Sequence, residues 1–282
     1  MDSLEREVNK NIKIGRFRRL LLGGVMSVHL GLSFFGCEIG VFELIEPVIE
    51  EVSEEEELNQ RLYFDENGNR IEFELLYNAE EGRYLNPRKD NSAVFLIDMQ
   101  AYFLYGEEGV NPEELERELR NQIEVLDYCR IKDVPVIVFE YEDRGDTIEP
   151  LKSKLNELED IHYIKKAYDN GWINTDLEEV IFMRGIINYI VMGVNSASCV
   201  ALTAFGKWNA DYEPGVGITG PGYEGETNVM ASNQLMLNDA RYKWDDTNIV
   251  RPYELHGFYK SDFRDLLRNI SNPFFDEMIP VN

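Results

Sequence analysis

Three chemically reactive side chains lie at or shortly after the ends of predicted strands in this sequence. Asp98 follows the run AVFLI, Lys166 ends the run IHYIKK, and Cys199 comes shortly after the run IINYIVM, in the segment GVNSASCV. Taken one at a time, the carboxylate is explained as a loop cap, the lysine as a surface residue and the cysteine as a small core residue. Taken together they can perform nucleophilic catalysis, because a base and a nearby cation activate a thiol.

The elements around these residues alternate between strand and helix. Continuous apolar runs predict buried strands, and the segments between them place apolar residues at helical spacing. The chain is therefore predicted to be a doubly wound α/β domain, a mostly parallel sheet with helices on both faces. Since the carboxyl ends of parallel strands share one edge, Asp98, Lys166 and Cys199 are expected to meet there. The predicted strands are residues 93–98, 134–141, 161–166 and 186–194, with a final strand at 213–220.

Two of the predicted helices have local signals that bear on the site. Asn111 is the predicted N-cap of the first, with Pro112 at its first position, and Cys129 late in that helix is assigned to the core. The second helix contains Cys199 in its first turn. The helix dipole would favour a thiolate at that position, and N–H groups of the preceding loop would hold an oxyanion.

Three segments, in this order, resemble a known superfamily. AVFLIDMQAYF, KKAYDNGWINTDL and GVNSASCVALTAF are similar to segments of the isochorismatase-like cysteine hydrolases, which include nicotinamidases and N-carbamoylsarcosine amidohydrolase. The first segment carries the Asp-x-Gln pattern at Asp98 and Gln100. The second places Lys166 ahead of the NTDL turn, and the third has Gly193 and Cys199 at the spacing of the superfamily.

The resemblance implies a reaction and a role for each residue. Cys199 would attack the carbonyl carbon of an amide-type C–N bond to give a thioester-type intermediate. Asp98 would take the thiol proton, and Lys166 would orient Asp98 and stabilise the thiolate. The resemblance also implies a cis peptide bond between Val194 and Asn195, with the backbone amides of Asn195 and Cys199 forming the oxyanion hole.

Gln100, Phe103 and Trp172 are the expected substrate-binding residues. Trp172 belongs to Asn170-Gly171-Trp172, which replaces the Ser-Ala-Phe stretch of the superfamily, and simple packing explains this tryptophan equally well. The segment FEYEDRGD lacks the histidine of metal-binding nicotinamidases, which argues against a nicotinamidase. Neither a metal nor another cofactor is expected. The expected partner is a small-molecule substrate. The rival hypothesis is a non-catalytic binding or scaffold domain with the same fold, tethered to a membrane.

The composition restricts the partners of the protein. The chain has 282 residues and a formal net charge of -25, which argues against nucleic acid as a partner because phosphates would be repelled. Its three cysteines and three histidines show no zinc-binding spacing. The resemblance also implies self-association into a homo-oligomer.

The first 37 residues have the features of a membrane-targeting segment. A basic stretch ending in RFRR precedes LLLGGVMSVHLGLSFFG, which contains no charged residue, and Cys37 follows directly. This arrangement resembles a bacterial lipoprotein signal, in which Cys37 would be lipidated and the protein would be extracytoplasmic and membrane-anchored. An uncleaved membrane anchor and a buried element of a cytoplasmic protein are the alternatives.

The remaining sequence predicts a linker and one hydrolase domain. Residues 38–60, which include EEVSEEEEL, are expected to form an acidic linker, and the domain is expected at 61–282 with its core at 92–220. The domain begins with RLYFDENGNRIEFELLY, where two extended runs around an Asn-Gly pair predict a hairpin extension. The tail after Gly220 does not match the superfamily and is expected to form ordinary surface, a lid or a partner surface.

Overall fold

A computed structural model describes residues 52–78, 83–85, 87–105, 109–205, 227–238 and 258–271. The membrane-targeting segment 1–37 with Cys37, most of the expected linker, and the final strand expected at 213–220 lie outside these described residues. Among the described residues, none of the helices combines the length and the apolar character needed to cross a bilayer. The residues from Glu54 onward belong to one compact unit.

A parallel sheet of six strands forms the centre of this unit. The strands along the described chain are β1 (Tyr77–Asn78), β2 (Arg83–Tyr84), β3 (Ser92–Ile97), β4 (Val136–Tyr141), β5 (Ile161–Lys166), β6 (Asn188–Val194), β7 (Asn228–Leu237) and β8 (Phe258–Tyr259). The sheet has the order β5-β4-β3-β6-β7-β8, and every neighbouring pair is parallel. β3 and β6 are buried along their whole length, which explains their continuous apolar runs. The strands β1 and β2 form a separate antiparallel pair.

Helices cover both faces of the sheet, as predicted. The described helices are α1 (Glu54–Tyr63), α2 (Ala101–Leu104), α3 (Pro112–Lys132), α4 (Leu151–Leu155), α5 (Leu177–Arg184), α6 (Ala201–Phe205) and α7 (Phe263–Ile270). On one face, α5 and α6 bury Leu177 and Phe205 in a cluster with Phe95 and Phe139 of the sheet. On the other face, α3 and α7 pack against β7, and α1 packs against both of these helices.

The signals at the start of the longest described helix, α3, are confirmed. The Asn111 side chain accepts hydrogen bonds from the backbone N–H groups of Glu113 at 2.9 Å and Glu114 at 3.4 Å. Pro112 occupies the first turn, where its missing N–H costs nothing. Cys129 is buried, and burial raises its thiol pKa, as expected of a core cysteine.

The sheet continues beyond the expected core at 92–220, which corrects the prediction for the tail. β7 lies next to β6 in the sheet, and β8 lies next to β7. The strand β7 is not a continuous apolar run, because Ser232, Asn233 and Gln234 interrupt it. The register between β6 and β7 shifts around this point, between Val191 and Gly193. These residues of the tail therefore complete the sheet rather than form a lid or ordinary surface.

The expected boundary between linker and domain, at residue 60, falls inside α1. Four consecutive glutamates form the first turn of α1, where the helix dipole favours negative charge. Leu58 and Leu62 are buried, and Lys132 at the end of α3 pairs with Glu55 at 2.7 Å. The charge run from Glu54 onward is therefore the exposed face of a packed helix, not a linker.

The expected hairpin extension is reduced to a single turn. The first run, RLY, is the end of α1, and one antiparallel bridge joins Phe64 and Arg70. Asp65 closes this turn by accepting the backbone N–H groups of Asn67 and Asn69, both at 2.8 Å. The Asn-Gly pair therefore marks a real turn, but the extended partner strand is replaced by the helix.

Candidate active site

Asp98 and Lys166 lie at the same edge of the sheet. Asp98 directly follows β3 and adopts a left-handed backbone conformation with φ of 56°, which is uncommon outside glycine and recurs at functional sites. Lys166 is the last residue of β5, two strands away in the sheet. Neither side chain has any solvent-exposed surface.

The two side chains form a buried ion pair. Lys166 Nζ lies 2.7 Å from Asp98 Oδ2, and it also donates to the carbonyl oxygens of Tyr168 at 3.3 Å and Asp169 at 3.1 Å. The same ammonium lies 4.3 Å from the centre of the Tyr141 ring. Each of the three N–H bonds of the lysine therefore has an acceptor, which is the condition under which a charged group can remain buried.

Gly193 lets β6 approach β3 closely beside Asp98. Its φ is 139°, and a Cβ atom at this position would lie 2.0 Å from the carbonyl oxygen of Ile97. Only glycine tolerates this approach and this backbone conformation. The chain then passes through a cis peptide bond between Val194 and Asn195, where the resemblance implied one.

Cys199 lies in a π-helical turn, Ser196–Val200, instead of the first turn of an α-helix. The N–H groups of Ser198 and Val200 both donate to the carbonyl oxygen of Asn195, each at 3.0 Å. These two amides are therefore not available to an oxyanion. π-Helical turns of this kind recur at functional sites, where the wider turn redirects a side chain.

The thiol of Cys199 is buried beside two carboxylates. It is 4% exposed and lies near enough to both Asp98 and Asp169 to help lower the pKa of each carboxyl. Burial raises the pKa of Cys199 well above its usual value, the negative charges of Asp98 and Asp169 raise it further, and Lys166 opposes them without reversing the shift. Cys199 is thus a thiol in the resting site: Lys166 favours the thiolate, as expected, but burial and the two carboxylates outweigh it.

The carboxylate of Asp98 has the properties of a base for this thiol. Burial raises the pKa of Asp98, and Lys166 lowers it, with a resulting value of about 6. Its Oδ1 atom is buried and accepts no hydrogen bond of normal geometry, while Oδ2 is occupied by Lys166. Asp98 is therefore largely ionised at neutral pH and has an oxygen open to the thiol proton.

Asp169 is a member of this site that the sequence did not reveal. Its Oδ2 accepts the Ser198 hydroxyl at 2.9 Å, and its Oδ1 accepts the hydroxyl of Tyr141. Burial opposes ionisation of Asp169, but these two hydrogen bonds, the charge of Lys166 and the Cys199 side chain together outweigh burial and lower its pKa. The only local signal for Asp169 is its position in the loop that follows β5. Acidic residues are common in loops, so this position does not single it out.

A cavity of about 390 Å³ opens beside this carboxylate. Seven residues line it: Tyr141, Ala167, Tyr168, Asp169, Asn170, Ile173 and Leu202. Cys199 is not among them. Two of the lining residues, Asp169 and Tyr141, lie near enough to the buried thiol to interact with it electrostatically. The cavity has the size of a small-molecule site.

The structure corrects the role expected for Gln100. Its side chain is fully buried and binds only backbone: Oε1 accepts the N–H of Tyr141 at 2.8 Å, and Nε2 donates to the carbonyl oxygens of Tyr141, at 3.0 Å, and Gly145. Both N–H groups and the oxygen of the amide thus bind the end of β4 and the loop that follows it. Gln100 holds this loop in place and does not face a substrate.

Phe103 and Trp172 also lie outside the cavity lining. The centres of the Phe103 and Tyr141 rings lie 5.6 Å apart, so Phe103 packs against Tyr141. Trp172 belongs to the core cluster, and its indole N–H donates to the carbonyl oxygen of Thr203 at 2.7 Å. The packing explanation of Trp172 therefore fits the structure, and the pocket-wall explanation does not.

In the part of the chain that the structure describes, no group of three or more His, Cys, Asp or Glu side chains is arranged to hold a metal ion. The groups that gather at the sheet edge are instead those of proton transfer: two carboxylates, one ammonium, one thiol and the hydroxyls of Tyr141 and Ser198.

Comparison with known proteins agrees with this fold. Residues 92–217 match the family model of the isochorismatase domain. A ribonuclease from Caenorhabditis elegans is similar over 70% of this chain and 99% of its own, with 18% identity and a TM-score of 0.50. The nicotinamidase of Staphylococcus aureus is similar over 61% of this chain and 99% of its own, with 13% identity and a TM-score of 0.47. The N-carbamoylsarcosine amidase of Thermoplasma acidophilum is similar over 60% of this chain and 95% of its own, with 15% identity and a TM-score of 0.45. No curated protein sequence matches the chain.

Proposed function

We propose that this protein is a cysteine-dependent hydrolase acting on the C–N bond of a small amide, in keeping with the match of residues 92–217 to the isochorismatase family model. One observation carries the proposal. The Cys199 thiol is buried close enough to the carboxylate of Asp98 for each group to shift the pKa of the other, and Asp98 is paired with Lys166 at 2.7 Å in a fully buried site. A nucleophile, a base and a cation that orients the base thus lie together at one buried site.

The first half of the reaction forms the acyl-enzyme. Cys199 Sγ attacks the carbonyl carbon of the amide while the thiol proton passes to Asp98, because the resting thiol has a raised pKa and needs a base. The backbone amides of Asn195 and Cys199 stabilise the oxyanion. The tetrahedral intermediate collapses with cleavage of the C–N bond, and Asp98 returns the proton to the leaving nitrogen.

The second half releases the acid. Asp98 removes a proton from a water molecule, and the resulting hydroxide attacks the thioester carbonyl carbon. The C–S bond breaks, the carboxylic acid leaves, and Asp98 gives its proton back to the sulfur. Lys166, which lies 2.7 Å from Oδ2 in the resting site, compensates the charge of Asp98 in both halves.

A panel of small primary and secondary amides tests the proposal, with release of ammonia or amine as the readout. Cys199→Ala and Asp98→Asn should abolish any turnover that the wild type shows. Cys129→Ala is the matched control, because Cys129 is also a buried free cysteine but lies in α3 away from the site. Equal turnover by Cys199→Ala and the wild type would support the rival hypothesis of a binding or scaffold domain, with the hydrolysis due to a contaminant.

For the N-terminal segment, we propose lipidation at Cys37 and an extracytoplasmic, membrane-anchored location. The support is in the sequence alone: a basic stretch, an uncharged apolar stretch and Gly36-Cys37. Labelling of cells with an alkyne analogue of palmitate should mark the wild type and not Cys37→Ser. Unlabelled wild type that stays in the membrane fraction would point to the uncleaved anchor, and wild type in the soluble fraction to a cytoplasmic protein.

A further inference from the structure

The candidate site contains more negative than positive charge. With the thiol neutral, the charged groups at neutral pH are the two carboxylates of Asp98 and Asp169 and the one ammonium of Lys166. That ammonium bonds to the side chain of Asp98 but only to the backbone carbonyl of Asp169. Among the described residues, no lysine or arginine lies within ion-pair distance of the Asp169 carboxylate. The charge of Asp169 is thus solvated by two hydroxyls and not neutralised.

A second group beside Asp169 lacks a hydrogen-bond partner. Asn170 lines the same cavity and is 4% exposed. Its Oδ1 accepts the backbone N–H of Trp172 at 2.9 Å, which fixes the orientation of the amide, while the buried Nδ2 has no partner. An unpaired buried donor costs free energy, so its retention beside a cavity points to a ligand that carries an acceptor.

We infer that the substrate is a small amide with a positively charged ammonium or guanidinium group, bound by Asp169, and with an acceptor oxygen bound by Asn170 Nδ2. This inference rests on the proposed hydrolytic function and names its substrate class. A substrate with one positive charge makes the site neutral, whereas a carboxylate-bearing substrate would add a third negative charge beside the buried Asp98 and the half-buried Asp169.

The residues around the cavity are mostly acidic, like Asp169 itself. A neighbouring cavity of about 440 Å³ shares Tyr141 with the first and is lined by Glu142, Asp143 and Asp146. Lys165 also lines this cavity and pairs with Glu140 at 2.6 Å, while Lys152 pairs with Asp146 at 2.7 Å, so Glu142 and Asp143 supply the uncompensated negative charge. The chain as a whole carries a net charge of -25, so long-range attraction also favours cations.

The test uses the full-length protein and two thiol reagents of opposite charge, 2-aminoethyl methanethiosulfonate and 2-sulfonatoethyl methanethiosulfonate. Modification of Cys199 is followed by peptide mass spectrometry, and each rate is divided by the rate of the same reagent with free cysteine. We expect the cationic reagent to be favoured by about tenfold or more in the wild type, and Asp169→Asn to reduce this preference by about tenfold, since a unit charge at this depth has an effect of that order. Asp133→Asn is the matched control, because Asp133 is an exposed acid beyond the C-terminus of α3.

Each outcome has one meaning. Equal normalised rates in the wild type, or an unchanged preference in Asp169→Asn, overturn the inference and leave the proposed nucleophile intact. Failure of both reagents to modify Cys199 removes the proposed function and the inference with it. If Asp169→Asn does not fold, the wild type alone decides: raising the salt concentration should slow the cationic reagent and speed the anionic one, and rates independent of salt contradict the inference.

Discussion

Lys166 Nζ and Asp98 Oδ2 lie 2.7 Å apart at the ends of two non-adjacent strands, and neither side chain exposes any surface. β4 separates the two strands, so the pair spans the carboxyl edge of the sheet from β3 to β5. An isolated charge buried at this depth would be strongly destabilising, and the two residues therefore depend on each other. Asp98 is also the proposed base for Cys199, so substitutions in this pair should affect both the stability of the domain and its catalysis.

Removing one member of this pair should destabilise the protein more than removing both. Lys166→Met leaves Asp98 buried without its cation, with an expected loss of about 3–5 kcal/mol in the free energy of unfolding. The double variant Asp98→Asn with Lys166→Met should recover part of this loss and remain inactive. Urea unfolding followed by circular dichroism measures both. Additive losses in the double variant would show that the two residues do not interact.

The activity of the enzyme should decrease in acid. Burial and the opposing Lys166 give Asp98 a pKa of about 6, so protonation of Asp98 as the pH falls through this value removes the base. The profile of kcat/KM against pH should therefore have an acidic limb near pH 6. Asp169→Asn should move this limb to lower pH, because the negative charge of Asp169 contributes to the raised pKa of Asp98. A limb that stays in place in this variant would assign it to another group.

Gly193→Ala should prevent folding of the site. The added methyl group would meet the carbonyl oxygen of Ile97 at 2.0 Å, and the backbone at Gly193 has a φ of 139°. The control is Gly68→Ala, since Gly68 also has a positive φ but no atom within 4 Å of the position that the added methyl group would occupy. Thermal unfolding should show a loss for Gly68→Ala of about 1 kcal/mol and a much larger one for Gly193→Ala. Similar losses in both would mean that β6 can move away from β3.

Gln100→Ala should loosen the loop that follows β4. The substitution leaves the N–H and carbonyl of Tyr141 without their side-chain partner, at an expected cost of about 1–3 kcal/mol. Hydrogen exchange should accelerate at residues 141–147 and remain slow in β3. A change in KM alone, with unaltered exchange, would restore Gln100 as a substrate-binding residue.

Much of the fold follows from local patterns. The strands β3, β4 and β6 are central and covered on both sides, so their sequences are apolar throughout and easily recognised. β7 is not recognisable in this way, because polar residues such as Ser232 and Asn233 interrupt it where its register against β6 shifts. The start of α1 has the composition of a linker because its exposed face is a run of glutamates, while its buried face consists of Leu58 and Leu62 alone.

The site is predictable only in part. Asp98, Lys166 and Cys199 follow strands that end at one edge, so topology alone indicates that they approach one another. Asp169 is not predictable, because its partners Tyr141 and Ser198 are distant in sequence and meet it only in the folded loop. The sequence predicts the pKa shift of Cys199 with the wrong sign, since burial and a second carboxylate outweigh the lysine.

The most direct test of the central claim is to trap the acyl-enzyme. The wild type is mixed with 4-nitrophenyl acetate, quenched in acid within the first turnover, digested and analysed by mass spectrometry. We predict one acetyl group per chain, carried by Cys199, and a rate of acetylation lower by about tenfold or more in Asp98→Asn because that variant lacks the base. Acetylation elsewhere, or equal rates at Cys199 in the wild type and Asp98→Asn, would contradict the assignment of Cys199 as a nucleophile activated by Asp98.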